Sequence, residues 1–595
     1  MKSYNKYFLV TTAEELSWNH DRPTLFLGEW CRLFSRRHVW TKLENKVHPY
    51  HWDDRDKFYR DYKFLEALYE KELRRLSTCL GTLHDVSSNV RYWRIIIGPW
   101  LRFFIDALFD RFESIRSVLE NDLIDDTWIL DYNIADWIPN DFSDFYRQFT
   151  NDPWNHIVFA ECIRTLKGPF TAIDHKLNVP PAIDSTTTQF KQSARKLLEL
   201  YGRILPARLN RIAIISANIP SADLCKLQLS LSQLPYIKSP SVNVCDEKID
   251  YDSRLTLDHD VIGRPFETIL NKLIVNWIPK TYVENFDRAR ATAFDIFPKK
   301  PKVIFTANAY QADDGFKLWG AHHVMNNVPL VIGQHGGNMG IARFNQTEDH
   351  QVQIADIFAS WGWTRESRPN IKPMPAQKLA AKKPKRNNRG DILVTTASYP
   401  RYFYCHYSVP VAGQYLGYIH DQMRFIKQLD HDAQKLLKFR FDDDKFGWDI
   451  INQFKETGLG AHIDSYRGSF LKRLNNCRLS VSTSNSTIFL ETLAINYPTL
   501  IFIDPNRFEI RSDAQAAMDR LRKVGILHDS PESAAVLLNS IYSDVQGWWY
   551  DSELQDARRT FCKQYALTST DWIEQWKDFF NRLANNADSR LDCIA

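Results

Sequence analysis

Pro329-Leu330-Val331-Ile332-Gly333-Gln334-His335-Gly336-Gly337-Asn338-Met339-Gly340 is an apolar run that stops at Gln-His and continues through three closely spaced glycines. Such a run reads as a buried strand that empties into a tight loop. Gly336, Gly337 and Gly340 let the backbone approach a ligand closely, and Gln334 and His335 fall where the carboxyl end of a strand presents its side chains. In open α/β sheets that end is where ligands bind. The plainer alternative is a glycine-rich turn closed by a capping histidine.

Outward from this stretch the chain alternates. Lys302 to Thr306 reads as a strand, Asp313 to Asn326 as a helix and Ile357 to Trp363 as another strand, and the pattern resumes with strands at Asp391 to Thr396, Leu437 to Phe441, Leu479 to Ser482 and Thr499 to Ile503. Repeated β-α-β order predicts doubly wound parallel sheets. Between the two runs, Arg365 to Gly390 carries Pro369, Pro373, Pro375 and Pro384, with seven lysines and arginines after Arg368 and no apolar period. That is the composition of a linker. The expected organisation is an N-terminal Rossmann-like unit over 1–370 with a helical insertion at about 54–119, a basic linker over 371–390, a C-terminal Rossmann-like unit over 391–544, and helices over 545–595 that pack back on the first unit.

Before the opening stretch, Tyr7 to Thr12 and Pro23 to Gly28 read as strands whose ends bring Thr11, Thr12 and Glu29 to one sheet edge. Phe58, Tyr62, Leu65, Leu68, Tyr69 and Leu76 recur at helical spacing, and a second helical region from Arg91 to about Leu119 is interrupted at Gly98-Pro99. Within it, Ile95 to Ile105 is apolar enough to suggest a membrane. It is too short to span, and Arg94, Arg102, Asp106 and Asp110 break it, so a buried helix is expected. Phe190 to Leu205 reads as a further helix.

At 595 residues the chain needs two or three cores, and a net charge of +4 gives no reason to expect a nucleic-acid partner. The nine cysteines are scattered without a CxxC pair, which fits a reducing compartment, and no signal-like or membrane-spanning run is present. The expected location is cytoplasmic. Lys382-Lys383-Pro384-Lys385-Arg386 is either part of a solvated linker or a peripheral contact with anionic lipids of the inner membrane.

A second informative stretch runs from Leu479 through Ser482-Thr483-Ser484-Asn485-Ser486-Thr487 to Glu491, then Tyr497-Pro498-Thr499: strand, hydroxyl-rich turn, helix, strand. Free N–H groups at a helix start favour an anion, and Ser484, Ser486 and Thr487 add hydroxyl donors for a phosphate. Glu491, one helical turn on, can accept from ribose hydroxyls. Arg440, at a strand end, can pair bidentately with phosphate. Asp442-Asp443-Asp444 invites a metal, but consecutive loop residues cannot all face one ion, so neither metal nor cofactor is expected. An ordinary helix cap with a solvated glutamate is the alternative for the turn.

These residues resemble a known pattern. The hydroxyl-rich turn, the helix with its inward glutamate and the strand after Pro498 look like the donor half of GT-B glycosyltransferases, which pair two Rossmann-like domains across a cleft. Nearly the whole chain, from Leu25-Phe26-Leu27-Gly28-Glu29-Trp30-Cys31 through Tyr92-Trp93-Arg94 and Gly98-Pro99-Trp100 to Gln334-His335-Gly336-Gly337 and Trp361-Gly362-Trp363, resembles a family of transferases from bacterial surface-polysaccharide, lipopolysaccharide and O-antigen clusters. The resemblance implies a nucleotide-sugar donor and a glycan or lipid-linked acceptor. A looser similarity is to transferases that use CMP-linked acidic sugars, sialic acid or Kdo; where those carry a His-Pro pair, this chain has Arg440-Phe441.

Facing the phosphate turn across such a cleft, His335 has two roles open to it, base on an acceptor hydroxyl or proton donor to the leaving phosphate. Gln334 would stand beside it, and Glu29, Asp314, Glu348 and Asp356 are the carboxylates available to orient it or replace it. Gly336 and Gly337 would make room for the nucleotide sugar. A nucleotide-sugar epimerase or hydrolase, and a non-catalytic glycan-assembly protein, are the competing readings.

Overall fold

The computed structural model describes residues 6–121, 124–178, 210–234, 247–261, 264–380, 384–385, 387–441 and 446–592. The helix expected at Phe190 to Leu205, the Asp442 to Asp444 run and Lys382, Lys383 and Arg386 lie outside them.

Three separate parallel sheets organise the chain. The first holds β1 (Tyr7–Val10), β2 (Thr24–Phe26), β3 (Asn45–Val47) and β4 (Ile124–Asp126) in the order β3-β2-β1-β4. A small parallel pair, β5 (Trp128–Asp131) with β6 (Thr171–Lys176), follows it. The central sheet has β7 (Ile212–Ile215), β8 (Val303–Thr306), β9 (Leu330–Gly333), β10 (Ile357–Ser360) and β11 (Ile371–Pro373), in the order β11-β10-β9-β8-β7. The C-terminal sheet has β12 (Asp391–Thr395), β13 (Leu437–Arg440), β14 (Cys477–Ser482), β15 (Thr499–Phe502) and β16 (Leu527–His528), in the order β13-β12-β14-β15-β16. β8, β9 and β15 are buried at every residue, as strands of a parallel sheet covered on both faces must be.

Three expectations need correction. Residues 1–370 do not form one sheet: among the described residues β1 to β4 pair only with one another, and the two long helices are inserted between β3 and β4. The helix Val90–Asn121 is not interrupted at Gly98-Pro99 but runs through it. A Cβ at Gly98 would stand 2.8 Å from the Tyr69 hydroxyl and 2.9 Å from His350 Cε1, so the glycine admits close neighbours rather than ending the helix. The charges at its middle, Arg102, Asp106, Asp110 and Arg111, are buried and paired. Arg102 bonds Asp106 at 3.0 Å, Asp106 lies 3.0 Å from His406, and Arg111 donates to the Phe403 carbonyl at 2.6 Å, so this helix ties the N-terminal half to the loop that follows β12. Among the described residues no helix is long and apolar enough to cross a membrane.

The third correction concerns Arg365 to Gly390, whose first half is not a linker. Ile371–Pro373 pairs with β10 as the edge strand β11, Ala376 N–H bonds the Leu567 carbonyl at 2.8 Å, and the Trp576 indole bonds the Pro375 carbonyl at 2.9 Å. Prolines are compatible with an edge strand because its outer N–H positions need no partner. The C-terminal helix Trp572–Asp592 lays Trp572, Trp576 and Phe580 on Ile212, Ile214, Val303, Phe305 and Val331 of the central sheet.

Candidate functional site

The glycine loop after β9 and the hydroxyl turn after β14, 147 residues apart in sequence between Gly337 and Ser484, touch. A Cβ on Gly337 would fall 2.3 Å from the Ser486 carbonyl oxygen and 2.6 Å from the Thr487 nitrogen. Only a glycine permits that approach. Two antiparallel bridges, Ala342 with Ile510 and Asn345 with Tyr407, extend the same seam. The carboxyl edges of the central and C-terminal sheets therefore face each other there.

Gln334 is the lock of the loop. Its Oε1 accepts from the Trp361 N–H and the Trp363 indole N–H, both at 2.8 Å, and its Nε2 donates to the Gly336 carbonyl at 2.9 Å. The Gln-His-Gly-Gly and Trp-Gly-Trp stretches are thus one structure. Gly340, at φ +76°, would push a Cβ to 2.6 Å from the same Trp363 ring. With its carbonyl oxygen and one N–H engaged in this way, Gln334 positions the loop.

His335, next in line, is different. Its Nδ1 is buried without a partner, and the ring makes no hydrogen bond among the described residues. A histidine serving only to hold the turn would bond a backbone carbonyl, and this one does not. Burial, together with the positive charge of Lys378, lowers its pKa to about 4, so the imidazole is neutral near pH 7. None of the carboxylates considered for orienting it makes contact with it. Glu29 is chelated by Arg32 at 2.6 Å. Asp314 is buried, accepting from Tyr282 Oη at 2.7 Å and Phe142 N–H at 2.8 Å and paired with Lys317. Glu348 takes the Gly340 N–H at 2.7 Å and pairs with Arg365 and Arg511, and Asp356 pairs with Arg91 at 2.9 Å. Glu29 and Asp314 are thus each engaged in an ion pair.

On the opposite side, the helix Thr487–Ala494 starts at Ser486, whose side chain does not cap it, and Ser484 Oγ bonds Ser486 Oγ at 3.0 Å. The first N–H groups of this helix are left for another partner. Glu491 pairs with Lys378 Nζ at 3.3 Å, and burial raises its pKa while Lys378 opposes the rise. Lys378, hidden among the basic residues after Arg368, was not singled out by the sequence. The signal that marks it is its setting between Ala376 and Leu379, both buried, which fix it beside the seam. Arg440 is not brought to the turn: β12 lies between β13 and β14, which separates the two strand ends by about 10 Å, and Arg440 Nη2 donates to the Gly468 carbonyl at 2.7 Å.

Parallel sheets meeting carboxyl edge to carboxyl edge, with a glycine loop, an uncapped helix start, a lysine and an unbonded imidazole at the seam, define an α/β protein. The chain belongs to the LIC12162 family of transferases, whose profile matches residues 7–580, and it is a transferase. A search of curated proteins found no match.

Proposed function

We propose that this transferase moves a sugar from a nucleotide-activated donor to a surface-polysaccharide or lipid-linked glycan, with the donor held where Gly336-Gly337 meets the Ser484 to Thr487 turn. The observation that carries the reading is the contact of Gly337 with Ser486 and Thr487. It sets a helix start, hydroxyls and Lys378 against His335 between two facing sheets, which supports a GT-B reading. Helix N–H groups and Lys378 suit the donor phosphate, and Glu491 suits ribose hydroxyls once Lys378 turns to that phosphate.

In this scheme His335 is the base. Being neutral, it has a lone pair for the acceptor hydroxyl and is not the imidazolium that would protonate the leaving group. Burial chiefly, and Lys378 second, hold the imidazole down, and a bound phosphate offsets the Lys378 part. As the acceptor oxygen bonds the anomeric carbon, its proton passes to His335 and the sugar–phosphate bond breaks, its electron pair leaving with the nucleotide. His335→Ala should melt near the wild-type temperature and bind nucleotide, yet transfer sugar ~10²–10⁴-fold more slowly, the span for a lost acid or base. Transfer within a few-fold of wild type removes His335 from the mechanism.

A further inference from the structure

His335 has an inner side that the seam does not use. The residue is partly exposed, but its Nδ1 is enclosed and has no hydrogen-bond partner among the described residues. Two more polar side chains beside it are buried in the same state. Tyr310 is 1% exposed and its hydroxyl is unpartnered; His350 is 8% exposed and neither of its ring nitrogens is bonded. The ring centroids of Tyr310 and His335 lie 6.3 Å apart and those of Tyr310 and His350 5.9 Å apart, so Tyr310 neighbours both imidazoles.

The fold puts the three together. β8 and β9 are paired, and the short helix Ala309–Ala312 after β8, where Thr306 Oγ1 accepts from the Ala309 N–H at 2.9 Å, brings Tyr310 alongside the end of β9. His350 comes from the helix Gln346–Ile354 and packs on Gly98 of the long helix, where a Cβ would stand 2.9 Å from its Cε1. Buried polar groups find hydrogen-bond partners in the protein or in ordered water, and three adjacent ones are satisfied most simply by one another, directly or through a bridging water.

The proton count gives such a chain a direction. A neutral imidazole donates from one nitrogen and accepts at the other, and the bond made by one nitrogen decides where the proton sits. Burial chiefly holds His335 at about 4 and His350 at about 3, so both rings are neutral near pH 7. A base that works through the accessible Nε2 keeps its proton on Nδ1, and that N–H needs an acceptor. Lys378, the charged group that acts on His335, can only donate. The Tyr310 hydroxyl can accept from Nδ1 while donating to an open nitrogen of His350. Cys405, the titratable group that acts on Tyr310, is engaged by Tyr407.

We propose that Tyr310 is a positioning residue for His335: its hydroxyl accepts the Nδ1–H, directly or through one water, and so fixes the tautomer whose Nε2 lone pair is free for the acceptor. The inference rests on His335 being the base. During transfer the acceptor's proton adds to Nε2 and the Nδ1 proton stays in place, so Tyr310 orients the ring and supports the imidazolium without changing its own protonation.

The test labels the histidines of the full chain with ¹⁵N and reads the His335 tautomer by long-range ¹H–¹⁵N correlation, the His335 signals being those lost in His335→Ala. Wild type should hold the proton on Nδ1. Tyr310→Phe, which keeps the ring, should move it wholly or partly to Nε2, with transfer at least 10-fold slower and donor affinity unchanged. A proton on Nε2 in wild type overturns the proposal, whether or not Tyr310→Phe folds. So does a tautomer that Tyr310→Phe leaves unchanged, or a transfer rate in that variant within a few-fold of wild type. Failure of the base reading is a different result: His335→Ala itself then transfers at close to the wild-type rate, whatever the tautomer.

Discussion

Two adjacent glycines give the sharpest test of the seam. A Cβ at Gly336 meets nothing nearer than 3.9 Å, whereas one at Gly337 meets the Ser486 carbonyl oxygen at 2.3 Å. Ordinary contact begins at 3.4 Å, so the two sides must part by about 1 Å to admit Gly337→Ala. The obstacle is backbone and cannot swing aside as a side chain would. Overpacking of this kind costs about 1–3 kcal/mol, and a 1 Å misplacement of reacting groups can cost about 10²-fold in rate. Gly336→Ala should melt and bind nucleotide like wild type. Gly337→Ala should melt lower and lose nucleotide affinity or transfer by at least 10-fold, measured by scanning calorimetry and titration on the two variants side by side. If the two variants are indistinguishable in both, the sheets do not meet as described and the shared site is lost with them.

Gln334→Ala should behave unlike His335→Ala: it strands the Trp361 N–H and the Trp363 indole in buried surroundings, about 1–3 kcal/mol for a group left unsatisfied, and equal melting of Gln334→Ala and wild type would contradict the lock. Acid should weaken the fold, because four of the described histidines are held at about 4 or below, against two carboxyls that burial pushes up, Asp141 to about 6 and Glu348 to about 8, and that act in the opposite direction. Burial lowers the pKa of His156 to about 4 and of His350 to about 3, from an ordinary value near 6.5. Below pH ~6.5 the unfolded chain binds protons that the folded chain refuses, so each of these histidines removes about 1.4 kcal/mol of stability per pH unit as pH falls toward 4. Urea midpoints at pH 7.5, 6.0 and 5.0 should decline, and a flat profile would show that these rings are not held neutral.

The fully buried parallel strands were legible in the sequence because burial on both faces writes a continuous apolar run, as in Val303–Thr306, Leu330–Gly333 and Thr499–Phe502. β3, β4 and β11 were not, since each has three residues, includes a polar residue or proline, and is exposed at one or two positions. Without β3 and β4 the first sheet could not be separated from the central one. The glycine loop and the hydroxyl turn were each visible as local patterns, but the role of Gln334 depends on Trp361 and Trp363, donors supplied by the next strand's end. The pairings that occupy Glu29 and Asp314 were in principle readable, because Arg32 and Lys317 stand three residues on, at helical spacing. Lys378 was not, because its position comes from the Leu567 and Trp576 contacts of a distant tail.

The central claim is that the seam between Gly337 and Ser486 holds a nucleotide-activated donor, and its most direct test is calorimetric titration with CMP, UDP, GDP and dTDP of wild type and Glu491→Ala. At least one nucleotide should bind, stabilising the fold by ~2.7 kcal/mol at ~100 times its Kd, and Glu491→Ala should weaken that binding by ~1.5–3 kcal/mol. Absence of binding by all four, or an affinity that Glu491→Ala leaves unchanged, would contradict it.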